Sequence, residues 1–122
     1  MAINHFDVEL PHGITLSCRS NVESIAASGS ARPRVLLLHG FPEAAFVWDE
    51  VITRLDGEAM LLAPNLRGFE RSSAPTDVAA YRARHLVQDL AALIEAFGAP
   101  LDLLVAHDWG GALAWVLAAQ RP

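Results

Sequence analysis

Alternation of apolar and polar positions opens the chain. Phe6, Val8 and Leu10 alternate with polar residues, Ile14, Leu16 and Cys18 do the same, and Pro11-His12-Gly13 lies between them, a pattern that predicts a β-hairpin. Asn21 to Arg34 is small and polar around Ser28-Gly29-Ser30. It is expected as a surface loop and not a domain linker, because a hairpin alone is too small to fold. Three short apolar runs follow, Val35 to Leu38, Met60 to Ala63 and Leu101 to Ala106, each suited to a strand buried on both faces of a parallel sheet. Between the first two, Phe46, Val47, Trp48, Val51, Ile52 and Leu55 predict one helix. Arg71 to Asp77, with Pro75 and two serines, reads as loop. Leu86, Leu90, Leu93, Ile94 and Phe97 then recur at helical spacing, with Gly98 as the stop signal. The third run leads into Leu113 to Ala119, a helix rich in Ala and Leu. Strands alternating with helices predict a parallel sheet with crossovers, whose ligands bind beyond the carboxyl ends of the strands.

Three chemically distinctive segments follow those strand ends: His39 to Pro42, Asn65 to Gly68 and His107 to Gly110. In the last, Asp108 stands at a strand-to-helix turn with small residues, Ala106 and Gly110, two places to either side. That is the spacing of a nucleophile elbow, G-x-S-x-G, with Ala for the first Gly and Asp for the Ser. Small flanks let the backbone turn sharply, and the start of a helix favours an anion. On this stretch by itself an ordinary N-cap is an equally good reading of Asp108. A membrane span from Leu103 to Ala119 is not, since an Asp near its middle costs about 2.5 to 3.5 kcal/mol.

Composition narrows the class. A chain of 122 residues, 52% hydrophobic and 19% charged, suits one packed domain. The net charge is −5 and the nine basic residues are all arginine, scattered along the chain, so no nucleic-acid surface is expected. Cys18 is the sole cysteine, which excludes an internal disulfide. The N-terminal MAINHFDVEL lacks a basic start and an apolar core, so no signal peptide and no membrane partner are expected, and a cytoplasmic location is the default. His5 and His12, at the hairpin, and His85 are expected at the surface. No metal-ligand spacing and no glycine-rich phosphate loop is present, so neither a metal nor a cofactor is expected.

His39-Gly40-Phe41-Pro42 followed by His107-Asp108-Trp109-Gly110-Gly111 resembles the alpha/beta-hydrolase fold family, and within it the epoxide hydrolases. These share the H-G-x-P loop, the H-D-W-G elbow and an R-G-x-x-x-S-x-x-P stretch, here Arg67 to Pro75. The resemblance runs from about Phe6 to the last residue. It implies an α/β fold, the N-terminal half of an alpha/beta-hydrolase domain with a mostly parallel sheet, an N-terminal β-hairpin and flanking helices. Residues 1–122 then make a single incomplete domain lacking the C-terminal half and the cap. The resemblance further implies that Asp108 is the nucleophile of a hydrolase, forming an alkyl ester with an epoxide carbon. Backbone N–H groups of Phe41 and Trp109 form the oxyanion hole. His39, Gly40, Pro42, His107 and Gly110 shape the two loops.

Haloalkane dehalogenases typically carry Asn at the x of H-G-x-P, and fluoroacetate dehalogenases carry Arg after the nucleophile; this chain has Phe41 and Trp109. Hydrolysis of a small apolar epoxide therefore fits best, with a haloalkane or haloacid dehalogenase as the alternative and a non-catalytic small-molecule-binding or truncated product as the third reading. Beyond their backbone, Trp109 and Trp115 read as core or pocket wall. Two departures from the family pattern, Asn65 for the commoner Asp and Glu70 for Gly, bear on loop geometry.

The family order along the chain is nucleophile, acid, histidine. After Asp108 the chain reads W-G-G-A-L-A-W-V-L-A-A-Q-R-P, with no acid, no histidine and no cap tyrosine. His39, His85 and His107 come too early to be the base. The run Leu101 to Ala106 is then expected as an open apolar edge inviting self-association. The isolated chain is accordingly expected to be marginal or aggregating and to turn over no substrate.

Overall fold

A computed structural model of the chain describes residues 2–25 and 31–121. Strands β1 (Asn4–Glu9) and β2 (Thr15–Ser20) form the expected hairpin, with Phe6 opposite Cys18 and Val8 opposite Leu16. Gly13, at φ 84°, turns the chain between them. Strands β3 (Arg34–Leu38), β4 (Met60–Pro64) and β5 (Leu103–Ala106) complete a five-stranded sheet in the order β1-β2-β4-β3-β5. β3 pairs in parallel with both β4 and β5, and β2 joins β4 antiparallel.

Helices cover both faces because β3 and β4 are apolar on both. Leu36, Leu38, Met60 and Leu62 point to the side covered by α2 (Ala83–Phe97) and α3 (Trp109–Gln120), whose Leu86, Leu90, Leu93, Phe97, Leu113 and Leu117 complete the larger core. Val35, Leu37, Leu61 and Ala63 point the other way, against Ala45 and Ile52 beside α1 (Asp49–Leu55). Each large apolar side chain so buried contributes about 1.5–3 kcal/mol.

Several expectations need correction. The helix expected across Phe46 to Leu55 is split into a 3-10 turn, Ala45–Trp48, and α1, and it exposes Phe46, Val47 and Leu55, because Ala45 and Ile52, with Trp48 and Val51 partly buried beside them, are the residues that pack on the core. β5 begins at Leu103 and not at Leu101. It is exposed to half-buried along its length, since it stands at the edge of the sheet. Trp115 is neither core nor pocket wall but 81% exposed. His12 is not free in solvent: its Nε2 lies 2.8 Å from Oδ1 of the buried Asp89. His5 is exposed and His85 half-buried. In the polar stretch after the hairpin Val22 is buried, Asn21 donates to the Ala59 carbonyl, and Arg34 already belongs to β3; Ser28-Gly29-Ser30 lies outside the described residues. A second 3-10 turn, Val78–Tyr81, capped by the Asp77 side chain, had no periodic signal.

Candidate active site

The carboxyl ends of β3 and β5 lie side by side, Leu38 opposite Ala106, so the H-G-F-P and H-D-W-G segments leave the sheet as neighbours. The His107 N–H, donated to the Leu38 carbonyl at 3.1 Å, continues the pairing one residue past the strand. Asp108 then turns the chain at φ 56°, ψ −118°, in the left-handed half of backbone space, at the N-cap position of α3 but without a side-chain capping bond. For a residue with a Cβ this conformation is uncommon and strained.

Gly110, after Asp108, and Gly40, in the facing loop, both have steric reasons. A Cβ on Gly110 would stand 2.5 Å from the His39 carbonyl oxygen and 2.9 Å from Leu38 Cβ. One on Gly40 would stand 2.6 Å from Asp108 Cβ. The two loops can approach this closely only because both positions lack a side chain.

The result brings Asp108 onto Phe41. Asp108 Oδ2 accepts the Phe41 backbone N–H at 3.0 Å. The Phe41 N–H, then the Trp109 N–H, then the charge of His107 hold the exposed carboxyl below its ordinary value of 3.8. A carboxylate at the start of a helix, facing two backbone donors, stays ionised throughout the neutral range.

His39 lies wholly buried under this arrangement. Its Nδ1–H donates to the Gly40 carbonyl at 2.8 Å and its Nε2 accepts the Leu66 N–H at 3.0 Å, which fixes the tautomer. Desolvation lowers its pKa from 6.5 and keeps it neutral. Its ring meets Phe69 edge-on at 4.8 Å between centroids, and Phe69 in turn meets Phe41 at 6.3 Å. Phe41 is 67% and Trp109 51% exposed, so the residues that supply the backbone donors present apolar side chains to solvent. The Phe41–Pro42 peptide bond is cis.

Glu43 was not singled out by any motif. Its Oε1 accepts the Gly40 N–H at 2.8 Å and lies 3.4 Å from His107 Nδ1, so one carboxylate spans both loops. Only its position just past Pro42 hinted at a part in the site. Asn65 earns its departure from Asp: Oδ1 accepts the Ala45 N–H at 2.8 Å while Nδ2 donates to Ser17 Oγ at 2.9 Å, a donation that a carboxylate could not make. Glu70, where glycine is usual, sits at φ 48°. Among the described residues no group of three or more His, Cys, Asp or Glu is placed to hold a metal ion, and no helix is long and apolar enough to cross a membrane.

A mixed sheet whose adjacent parallel strand ends carry a strained acidic elbow and a facing donor loop defines a class, and residues 33–122 match the family model of the alpha/beta hydrolase fold. The chain belongs to that family. It is 38% identical over 109 residues to epoxide hydrolase 2 of Siraitia grosvenorii, spanning 88% of this chain and 34% of that protein. It is 43% identical over 96 residues to epoxide hydrolase 3 of Xenopus tropicalis, spanning 78% of this chain and 26% of that protein. A crystal structure of an epoxide hydrolase from Vigna radiata superposes with a TM-score of 0.86 at 37% identity, covering 98% of this chain and 36% of that one. The chain thus spans about a third of the length of such relatives, matching their N-terminal part.

Proposed function

We propose that this chain carries the nucleophile and oxyanion hole of an epoxide hydrolase. The observation that carries the reading is the Asp108 carboxylate, raised on a left-handed elbow and exposed, with Oδ2 on the Phe41 N–H at 3.0 Å. Oδ1 attacks an epoxide ring carbon, the ring C–O bond breaks, and the alkoxide takes a proton, leaving an alkyl ester on Asp108. Oδ2 becomes the ester carbonyl oxygen without moving. When water then attacks Asp108 Cγ, the negative charge collects on Oδ2, which holds the Phe41 N–H, with the Trp109 N–H a second backbone donor to the same carboxyl group, and the intermediate collapses to free carboxylate and diol. The proton given to the alkoxide and the base that deprotonates the water come from groups outside these 122 residues. Phe41 and Trp109 suit a small apolar substrate, and the described residues around Asp108 include no arginine or lysine for a substrate anion.

The test is a single turnover in oxygen-18 water by the protein that contains this chain. The diol should leave unlabelled at the newly bound oxygen, and one heavy oxygen should enter the Asp108 carboxylate. Direct entry of label into the diol would sink the ester route. Asp108→Asn should abolish ester formation, measured as loss of the enzyme-bound adduct by intact mass.

A further inference from the structure

The donor that faces Asp108 belongs to the Gly40–Phe41 peptide, and that peptide is held at both ends. Its N–H goes to Asp108 Oδ2 at 3.0 Å, while its carbonyl accepts the His39 Nδ1–H at 2.8 Å and the Glu43 N–H at 3.1 Å. A planar peptide cannot tip at one end alone. The angle at which the Phe41 N–H meets the carboxylate therefore depends on where the His39 ring sits.

The far side of that ring is held by the loop after β4. His39 Nε2 accepts the Leu66 N–H at 3.0 Å, and the ring meets Phe69 edge-on at 4.8 Å between centroids. Phe69 also meets the Phe41 ring edge-on, at 6.3 Å. The loop is closed on itself: the Gly68 N–H donates to the Ser73 carbonyl at 2.9 Å, the Phe69 N–H to the Leu66 carbonyl at 2.9 Å and the Ser72 N–H to the Phe69 carbonyl at 3.0 Å. Its Arg67 is paired with the buried Asp89 of α2. The half-buried Phe69 is thus presented to both His39 and Phe41 by clamped backbone.

We infer that Phe69 is a positioning residue: through the His39 ring and the Phe41 side chain it sets the Gly40–Phe41 peptide, and with it the donor that faces Asp108. What this does for turnover rests on the epoxide reading above. In ester formation the charge of the carboxylate passes to the epoxide oxygen, and Oδ2 ends as an ester carbonyl, a weaker acceptor of the Phe41 N–H than the carboxylate was. In ester breakdown the charge returns to Oδ2 as an oxyanion, a stronger acceptor than the ester carbonyl. A displaced donor therefore slows breakdown and spares formation, whereas a general loosening of the fold slows both.

The experiment compares the protein that contains this chain with Phe69→Leu and Phe69→Met, which keep apolar bulk without the flat ring edge, and with Phe69→Tyr, which keeps the edge. Single turnovers of styrene oxide are quenched at intervals and the ester on Asp108 is followed by intact mass. Without substrate, the Asp108 carboxyl is titrated by carbon-13 NMR. Phe69→Leu and Phe69→Met should slow ester decay by about tenfold, with formation within about twofold of the parent. The Asp108 titration should move up toward its ordinary 3.8, because the Phe41 N–H is the largest cause of its lowering. Phe69→Tyr should restore both readouts, and Val78→Ser, at a position 85% exposed on a separate turn, should change neither. An Asp108 titration that stays in place in both ring-less variants overturns the proposal, as do formation and decay that fall by the same factor. If styrene oxide forms no ester even on the parent while the titration still moves, the positioning stands and the epoxide reading fails.

Discussion

Asp108 and Glu70 both hold a side chain in the left-handed region, at φ 56° and φ 48°, and they do so with different returns. The strain at Asp108 places its carboxylate on the Phe41 N–H; among the described residues no hydrogen bond of the Glu70 side chain accompanies the strain there. A left-handed non-glycine residue costs about 1–2 kcal/mol, while glycine costs about 0.5–1 kcal/mol in lost chain entropy. Glu70→Gly is therefore expected to stabilise the fold by up to about 1 kcal/mol, seen as a higher urea midpoint at unchanged slope. The departure from glycine was visible in the sequence; the sign of φ that gives it meaning was not.

His39 yields a pH prediction at the same scale. Burial lowers its folded pKa below 6.5, so the unfolded chain binds the extra proton first as pH falls. This contribution to stability is complete above 6.5 and is lost as pH drops from there through the lower folded value. Urea unfolding at a series of pH values should show a steeper loss below 6.5 in the parent than in His39→Gln, whose amide oxygen can still accept the Leu66 N–H. Equal slopes would place the titration elsewhere.

At the scale of elements, the loops meet correctly because other elements are clamped. Arg67, in the loop after β4, makes a two-pronged pair with Asp89 of α2, Nε to Oδ2 at 2.8 Å and Nη2 to Oδ1 at 2.6 Å, and its Nη1 donates to the Ala80 carbonyl. His12 adds the hairpin turn to the same carboxylate. Arg67 and Asp89 are almost wholly buried, so removing one partner strands the other in a poorly solvated site. Asp89→Ala should cost about 3–5 kcal/mol in chemical unfolding. His12→Ala should cost clearly less, because that ring keeps some solvent.

The sequence could show Arg67 in its motif and Asp89 as an acid inside a helical period, but not that they meet. The His12–Asp89 contact spans 77 positions and leaves no local trace. What was legible in the elements was whatever repeats: β3 and β4 as unbroken apolar runs with both faces covered, and α2 from its spacing. The helix expected from Phe46 onward went wrong because six apolar residues at helical spacing do not say how many of them reach a sheet.

For the whole molecule, the surface accounts differ between total and place. A monomer of 13.2 kDa should expose roughly 6,400 Å², and this chain exposes 6629 Å². The unit is thus folded about as tightly as an ordinary small domain, and its exposed large apolar side chains include Leu103 of β5, Trp115 and Val116 of α3 and Phe41 and Trp109 beside Asp108, with Phe46, Val47, Leu55 and Val78 elsewhere. The run from Leu101 to Ala106 and the helix after it told what kind of neighbours they suit, since apolar residues all round a helix call for cover on every side. They could not tell whether this chain supplies that cover. If the surplus is local, association and stability should separate. Trp115→Glu, at a position 81% exposed, is expected to change the unfolding free energy by no more than about 0.5 kcal/mol. It should also reduce self-association of the isolated chain, measured by light scattering across a concentration series. A loss of stability together with undiminished association would mean that Trp115 holds the fold together, and that the sticky surface lies elsewhere.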